Sequence, residues 1–228
     1  MKARFALPFC FFLGACGGYH HEGDRITFET CNEGNGCTTI VVQGADAASF
    51  ETLDHGYARD KRSAYFDGQP VPGALGASFR SLSETYAKDA AHAYYRLAQI
   101  AAADVASFEA EDNLNYARDK TDIYFQGAPM HVCDLASFRW LSDQWEVDDR
   151  CAYRNDKKLP DAHAKSFVAL NFWYAKDDTQ VYSSVAPVVE GADAATFELA
   201  NAPCEVCARD RNRCYNAGAV TPCSTFAH

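Results

Sequence analysis

A short motif of a small residue or Lys, then Ser or Thr, then Phe returns along this chain on a fixed beat. It stands at Ala48-Ser49-Phe50, Ala77-Ser78-Phe79, Ala106-Ser107-Phe108, Ala136-Ser137-Phe138, Lys165-Ser166-Phe167, Ala195-Thr196-Phe197 and Ser224-Thr225-Phe226. Successive phenylalanines are 29, 29, 30, 29, 30 and 29 residues apart. Such a period is the signature of a repeat architecture, in which no copy can bury its apolar face alone and each leans on its neighbours.

A second motif keeps the same beat between the phenylalanines: aromatic, Ala, basic, Asp, and then an aromatic or aromatic pair. The copies are Tyr57-Ala58-Arg59-Asp60 with Tyr65-Phe66, Tyr86-Ala87-Lys88-Asp89 with Tyr94-Tyr95, and Tyr116-Ala117-Arg118-Asp119 with Tyr124-Phe125. A worn copy, Trp145-Glu146-Val147-Asp148 with Tyr153, precedes Tyr174-Ala175-Lys176-Asp177 with Tyr182. The series closes on Cys207-Ala208-Arg209-Asp210 with Tyr215. Alternation around a polar centre reads as a β-hairpin whose Asp starts the turn by bonding the backbone two residues on. Asp46, Asp104, Asp134 and Asp193 then read as helix N-caps, with the Phe and an apolar residue three positions later on one helical face. The expectation is an α+β fold. Tandem units of about 29 residues, each a hairpin plus a short helix, stack as an open solenoid-like array from Cys31 to His228, about six units in all, with Cys31 to Val42 as an entry hairpin.

Tyr-Ala-Lys-Asp with a Tyr-Tyr pair, followed by Gly-Ala-Asp and Thr/Ser-Phe-Glu, resembles the DKNYY repeat family of bacterial envelope proteins. The resemblance runs over roughly residues 40 to 226 and is clearest at Tyr57 to Phe66, Tyr116 to Phe125 and Tyr174 to Phe197. It weakens at Asp148 to Tyr153 and in the cysteine-bearing last unit. It implies an architecture and an envelope address, and it implies no substrate.

Residues 1–15 differ from the rest. Lys2 and Arg4 precede an apolar run from Phe5 to Leu13, and Leu13-Gly14-Ala15-Cys16 resembles a bacterial lipobox. Nine apolar residues span ~14 Å as a helix, against ~30 Å of bilayer core, so the run reads as a cleaved leader rather than a membrane span. Cys16 is the expected lipid-attachment site. Several acyl chains on one residue hold a protein on a membrane, and Gly17, with no acidic residue there, points to the outer membrane facing the periplasm. Residues 16–30 then form a tether and entry segment, with His20 and His21 solvated. Loss of Lys2 and Arg4 takes the formal charge from -10 to -12.

Export also decides how the cysteines read. Beyond Cys10 in the leader and Cys16, eight remain: Cys31, Cys37, Cys133, Cys151, Cys204, Cys207, Cys214 and Cys223. An even number in an exported chain reads as disulfides. Cys31 with Cys37 would tie the entry hairpin, and Cys133 with Cys151 would join one connector to the next turn. The last four leave three connectivities open. A zinc ribbon on Cys204, Cys207, Cys214 and Cys223 suits a reducing compartment better, and a redox pair at Cys204 and Cys207 has no surrounding βαβ pattern.

No other chemistry stands out. The motif aspartates, one per hairpin beside a basic residue, suit turns better than the dense ligand loop of a Ca²⁺ site or a glycosidase pair. Histidines lie scattered, without metal-ligand spacing. No basic stripe exists for a nucleic-acid partner. No catalytic motif and no cofactor are expected, and an enzyme would need a polar cluster that breaks the repeat, with the worn region 145–165 as the place for a small hydrolytic site. One aromatic of each pair faces out of a hairpin, so Tyr95 and Phe125 are candidate sugar-stacking residues for a glycan-binding alternative. The leading expectation is a non-enzymatic interaction scaffold, membrane-held through its lipid and directed at a protein partner, with a toxin-neutralising immunity protein as one form.

Overall fold

The computed structural model describes residues 16–32, 34, 36–200 and 204–226. The expected leader, residues 1–15, lies outside them. The described residues form seven small antiparallel sheets, each a meander in which strands pair in chain order. The first holds β1 (Cys16–Glu22), β2 (Arg25–Asn32) and β3 (Gly36–Val41). The second holds β4 (Glu51–Thr52), β5 (Tyr57–Arg59), β6 (Ala64–Phe66) and β7 (Gln69–Pro70), and the following sheets repeat its plan, the sixth with three strands. The described residues divide between Ala101 and Ala102 into two compact units.

The expected α+β fold is corrected: among the described residues there is no α-helix, and the architecture is β throughout. Where a helix was expected, three-residue 3-10 turns stand at Ala47–Ser49, Gly76–Ser78, Leu135–Ser137 and Ala164–Ser166. The caps are real, since Asp46 accepts from the Ala48 N–H and Asp134 from the Ala136 N–H. What they cap cannot lengthen, because Phe50 and Phe138 are already extended and lead straight into a strand. Phe50 and Leu53, three apart, looked like one helical face. In the sheet they serve opposite faces, Phe50 packing on the core that holds Ile26, Phe28, Ala58 and Tyr65, and Leu53 on the one that holds Tyr57, Phe66 and Phe79.

That alternation is the plan of the repeat. Side chains along a strand point to opposite faces. Ala58 and its cross-strand partner Tyr65 face the preceding sheet, while Tyr57 and its partner Phe66 face the following one. The second sheet is therefore apolar on both sides, which a single sheet between two neighbours requires. The beat phenylalanine packs on the tyrosine of its own hairpin every time, with ring centroids 5.6 Å apart for Phe50 and Tyr65, 5.6 Å for Phe79 and Tyr94, 5.4 Å for Phe108 and Tyr124, 6.0 Å for Phe138 and Tyr153, 5.4 Å for Phe167 and Tyr182, and 5.5 Å for Phe197 and Tyr215. Tyr57 also meets Phe79 of the next sheet at 5.7 Å, as Tyr174 meets Phe197 at 5.3 Å. These rings are buried, apart from the half-buried Phe50.

The segment expected to be a tether is a strand. β1 pairs with β2 from Cys16 opposite Cys31 onward. Tyr19 packs on Phe28 and Phe50, donates to Gly56 O and accepts from the Gly68 N–H. His20 and His21 are exposed.

Candidate functional site

The residues that repeat are engaged inside the fold. Asp60 Oδ1 accepts the N–H groups of Arg62 and Ser63 at 2.7 and 2.8 Å, which closes the hairpin turn. Its Oδ2 accepts the Tyr65 hydroxyl at 2.8 Å and the Asp46 N–H at 2.9 Å, which joins the hairpin to the 3-10 turn before it. Asp89, Asp119, Asp148, Asp177 and Asp210 do the same with Tyr94, Tyr124, Tyr153, Tyr182 and Tyr215 and with the N–H of Leu75, Asp104, Asp134, His163 and Asp193. All six carboxylates are buried. Burial opposes their ionisation, but the converging hydrogen bonds outweigh it and hold all six below the usual range, Asp177 and Asp210 at about 2. The turn role expected for these aspartates is what their geometry shows. Donor atoms of His163, Asp177 and Asp178 lie within 4.8 Å of one another. Both Asp177 oxygens are already committed, however, to the N–H groups of Thr179, Gln180 and His163 and to two hydroxyls.

The first tyrosine of the motif fastens one sheet to the next at Tyr57 and Tyr174. Tyr57 donates to Thr85 O at 2.9 Å, and Tyr174 donates to Val206 O at 3.0 Å while accepting the Gly218 N–H at 2.8 Å. Trp145 substitutes its indole N–H, donated to Asn171 O at 3.1 Å. The basic residue reaches forward too: Arg59 donates to Ala77 O and Phe79 O, and Lys176 to Ala194 O and Phe197 O. In the last unit Cys207 stands where a tyrosine would reach forward, and Arg209 turns instead to Glu198.

Among the described residues there are four disulfides. Cys31–Cys37 ties β2 to β3 across the register, and Cys133–Cys151 staples a connector to the Asp148 turn. The connectivity left open in the last unit is Cys204–Cys207 and Cys214–Cys223. Of the aromatic pairs, Tyr65 and Phe66 are both buried, while the candidate residues Tyr95 and Phe125 are half-buried and pack on Tyr86 at 5.2 Å and on Tyr116 at 5.0 Å.

One place breaks the repeat with polar groups, between the sheets of residues 109–129 and 139–158. The backbone N–H groups of Leu53, Leu82, Glu111, Leu141, Leu170 and Ala200 each close on the carbonyl of the first motif aromatic or its cysteine replacement. Glu111 is therefore a carboxyl at a leucine position that faces the following sheet. Glu146 stands where Ala58, Ala87, Ala117, Ala175 and Ala208 stand, facing the preceding sheet. Both substitutions turn toward the same layer. There a recess of about 350 Å³ is lined by Glu111, Asp112, Asn113, Trp140, Leu141, Ser142 and Asp143.

Glu146 is wholly buried directly opposite Trp140 in the ladder, hence on the same face of the sheet. Tyr116, whose counterparts Tyr57, Trp145 and Tyr174 bond a backbone carbonyl, donates instead to Glu146 Oε1 at 2.5 Å. Burial pushes the Glu146 carboxyl up to about 8, against the pull of the Tyr116 hydroxyl and the Asn155 N–H and aided by Asp156. Burial also raises the Glu111 carboxyl, with Arg118 opposing and Asp112 and Glu109 adding to the rise. Among the described residues, the buried side-chain polar atoms without a hydrogen-bond partner are Glu111 Oε1, Trp140 Nε1, Ser142 Oγ, Glu146 Oε2 and Ser184 Oγ. The first four belong to this layer. Sequence reading marked the 145 region as worn but passed over Glu111. Aligning the units by their phenylalanines would have found Glu111, and aligning them by the motif aspartates would have found Glu146, each as the acid at an otherwise apolar position.

Fold and site together define an all-β tandem-repeat protein whose repeated polar residues are internal fasteners and whose irregular residues gather in one layer. The DKNYY family model matches residues 32–150, more than half of the chain, and the chain belongs to that family. No curated protein and no solved structure matches it.

Proposed function

We propose that the chain is a non-enzymatic interaction scaffold of the bacterial envelope, anchored through lipid on Cys16 at the periplasmic face of the outer membrane. The observation that carries this reading is the consumption of every motif Asp and its tyrosine partner in structural hydrogen bonds. A scaffold so fastened holds its surface in fixed geometry, and rigid repeat surfaces serve binding. Among the described residues no helix is long and apolar enough to cross a membrane. An anchor on Cys16 would place the lipid at the first residue of β1, with no free linker before the first sheet.

Cell fractionation tests the address. The native chain goes to the membrane fraction, and Cys16→Ser moves it to the soluble fraction. Equal partition of the two forms would remove the anchor from the reading. One form of the scaffold role is neutralisation of an incoming toxin, suited to an acidic, disulfide-tied chain at the cell boundary. Expression protecting cells against a toxin encoded beside the gene supports that form, and unchanged killing counts against it.

A further inference from the structure

The first sheet leaves one edge open. β3 has β2 on one side and, among the described residues, no strand on the other. Val42 donates to Ile26 O at 2.9 Å, and hydrogen-bonded pairs alternate along an antiparallel ladder. Thr38 and Ile40 therefore bond to β2, while Cys37, Thr39 and Val41 turn their N–H and C=O groups outward. Such a row is a template for another strand unless the sequence guards it. Elsewhere the chain guards its edges. Those of the repeat sheets are two or three residues long, and most carry a charge or a proline, as Glu51–Thr52, Gln69–Pro70, Arg80–Ser81 and Lys157–Lys158 do. β1, the other edge of the first sheet, carries His20, His21 and Glu22. β3 runs for 6 residues with no charge and no proline, and all of them are exposed, Ile40 at 41% and Val41 at 43%. The Cys31–Cys37 disulfide holds it in register on β2, so the edge is formed before anything pairs with it.

The residues of this edge fit a second copy of themselves. An antiparallel two-fold about Thr39 sets Thr39 opposite the second copy's Thr39, Thr38 opposite its Ile40 and Cys37 opposite its Val41. Each outward N–H then meets an outward carbonyl, and the exposed Ile40 and Val41 are covered across the seam. No charge enters that seam. Glu29 stands opposite Thr39 on β2 and pairs with His20 at 3.7 Å. In a joined sheet the two Glu29 residues would be three strand spacings apart, ~14 Å, beyond the ~10 Å screening length at 0.1 M salt. The same self-pairing at Arg80–Ser81 or Lys157–Lys158 would press like charges together. A formal charge of -10 opposes association of copies in general, so an uncharged edge is where two can meet without added repulsion. We propose that β3 pairs antiparallel with β3 of a second copy about Thr39, which joins their first sheets into one across a homodimer.

Two strands this short bury less than the ~1,000 Å² of a stable interface, so the dimer is weak, with a dissociation constant on the order of 100 µM. Sedimentation velocity is run on the purified chain carrying Cys16→Ser, which removes the lipid acceptor, with its disulfides intact. It shows monomer at ~10 µM and mostly dimer at ~1 mM. Thr39→Lys sets like charges face to face and raises the constant about tenfold or more, while the exposed position leaves the fold unchanged by circular dichroism. Thr39→Glu has the same effect. An equal mixture of the two variants dimerises more tightly than either alone, because position 39 meets itself. A chain that stays monomeric at ~1 mM overturns the proposal, whether or not an added strand-forming peptide then pairs with the edge. So does a dimer that Thr39→Lys leaves undiminished, which would place the contact on another surface. A mixture no tighter than Thr39→Lys alone also overturns it, since the strands would then not cross at position 39. No outcome bears on the anchor, which fractionation tests separately.

Discussion

At the residue scale the fold turns on one aspartate per unit, which accepts bonds from two turn N–H groups, a tyrosine and the preceding 3-10 turn. Asp177→Ala leaves the N–H groups of Thr179, Gln180 and His163 and the Tyr182 hydroxyl unpaired inside the fold. Each such loss costs on the order of 1 kcal/mol or more, so the variant is expected to lose about 3 kcal/mol in denaturant unfolding. Tyr57→Phe removes one neutral bond to a carbonyl and is expected to cost about 1 kcal/mol, so the two variants rank the fasteners. The carboxylates also set the acid limit. Their folded values lie below 3.8, so the unfolded chain binds more protons as pH falls. The stability they contribute is complete above about 3.8 and is lost as pH drops toward about 2. A circular-dichroism melt series across that range should show Tm falling steeply, and less steeply in Asp177→Ala.

At the element scale the unit is a set of very short strands held by turns. The two-residue hairpins at Asp67-Gly68, Gln126-Gly127 and Ala217-Gly218 have positive φ at both positions, the geometry that matches strand twist. Gly76 answers a different need. A Cβ there would run into the backbone of Asp60 and Ser63, where the 3-10 turn closes on the preceding hairpin. Gly76→Ala is expected to cost about 2 kcal/mol, although Ala47 and Ala164 begin the corresponding turns. The fourth unit, whose motif carries Glu146 and Val147, has a covalent staple between the connector before its 3-10 turn and its own hairpin. Cys133→Ser with Cys151→Ser opens a loop with 18 residues of separation and should cost about 3 kcal/mol on the loop-entropy account. A loss well under 1 kcal/mol would mean that the Asp148 hydrogen bonds alone fix the junction.

For the whole molecule, the layer around Glu146 trades stability for polarity. Its carboxyl is neutral in the fold up to about 8 but ionises near 4.5 when exposed, so the folded state binds the extra proton between those values. Its contribution therefore falls as pH rises from about 4.5 to about 8, opposite in sign to the aspartates. Glu146→Ala restores the residue of the sister units. It should flatten that slope and raise Tm at pH 8, and an unchanged slope would show that Glu146 ionises freely in the fold.

The beat of the phenylalanines and the pairing of motif with motif determined from sequence alone that the chain is a repeat, where its units begin, that its aspartates make turns and that its later cysteines pair as disulfides. Those features are local or periodic, and local chemistry is written in local spacing. Tertiary structure decided what spacing leaves ambiguous. An interval of three between Phe50 and Leu53 fits one face of a helix or two faces of a strand, and only the presence of a core on each side chose the strand. Burial on both faces also turned both Tyr65 and Phe66 inward, pairing with β2 drew Cys16–Glu22 into the first sheet, and the stacking of sheets set Glu111 and Glu146, 35 residues apart, into one layer.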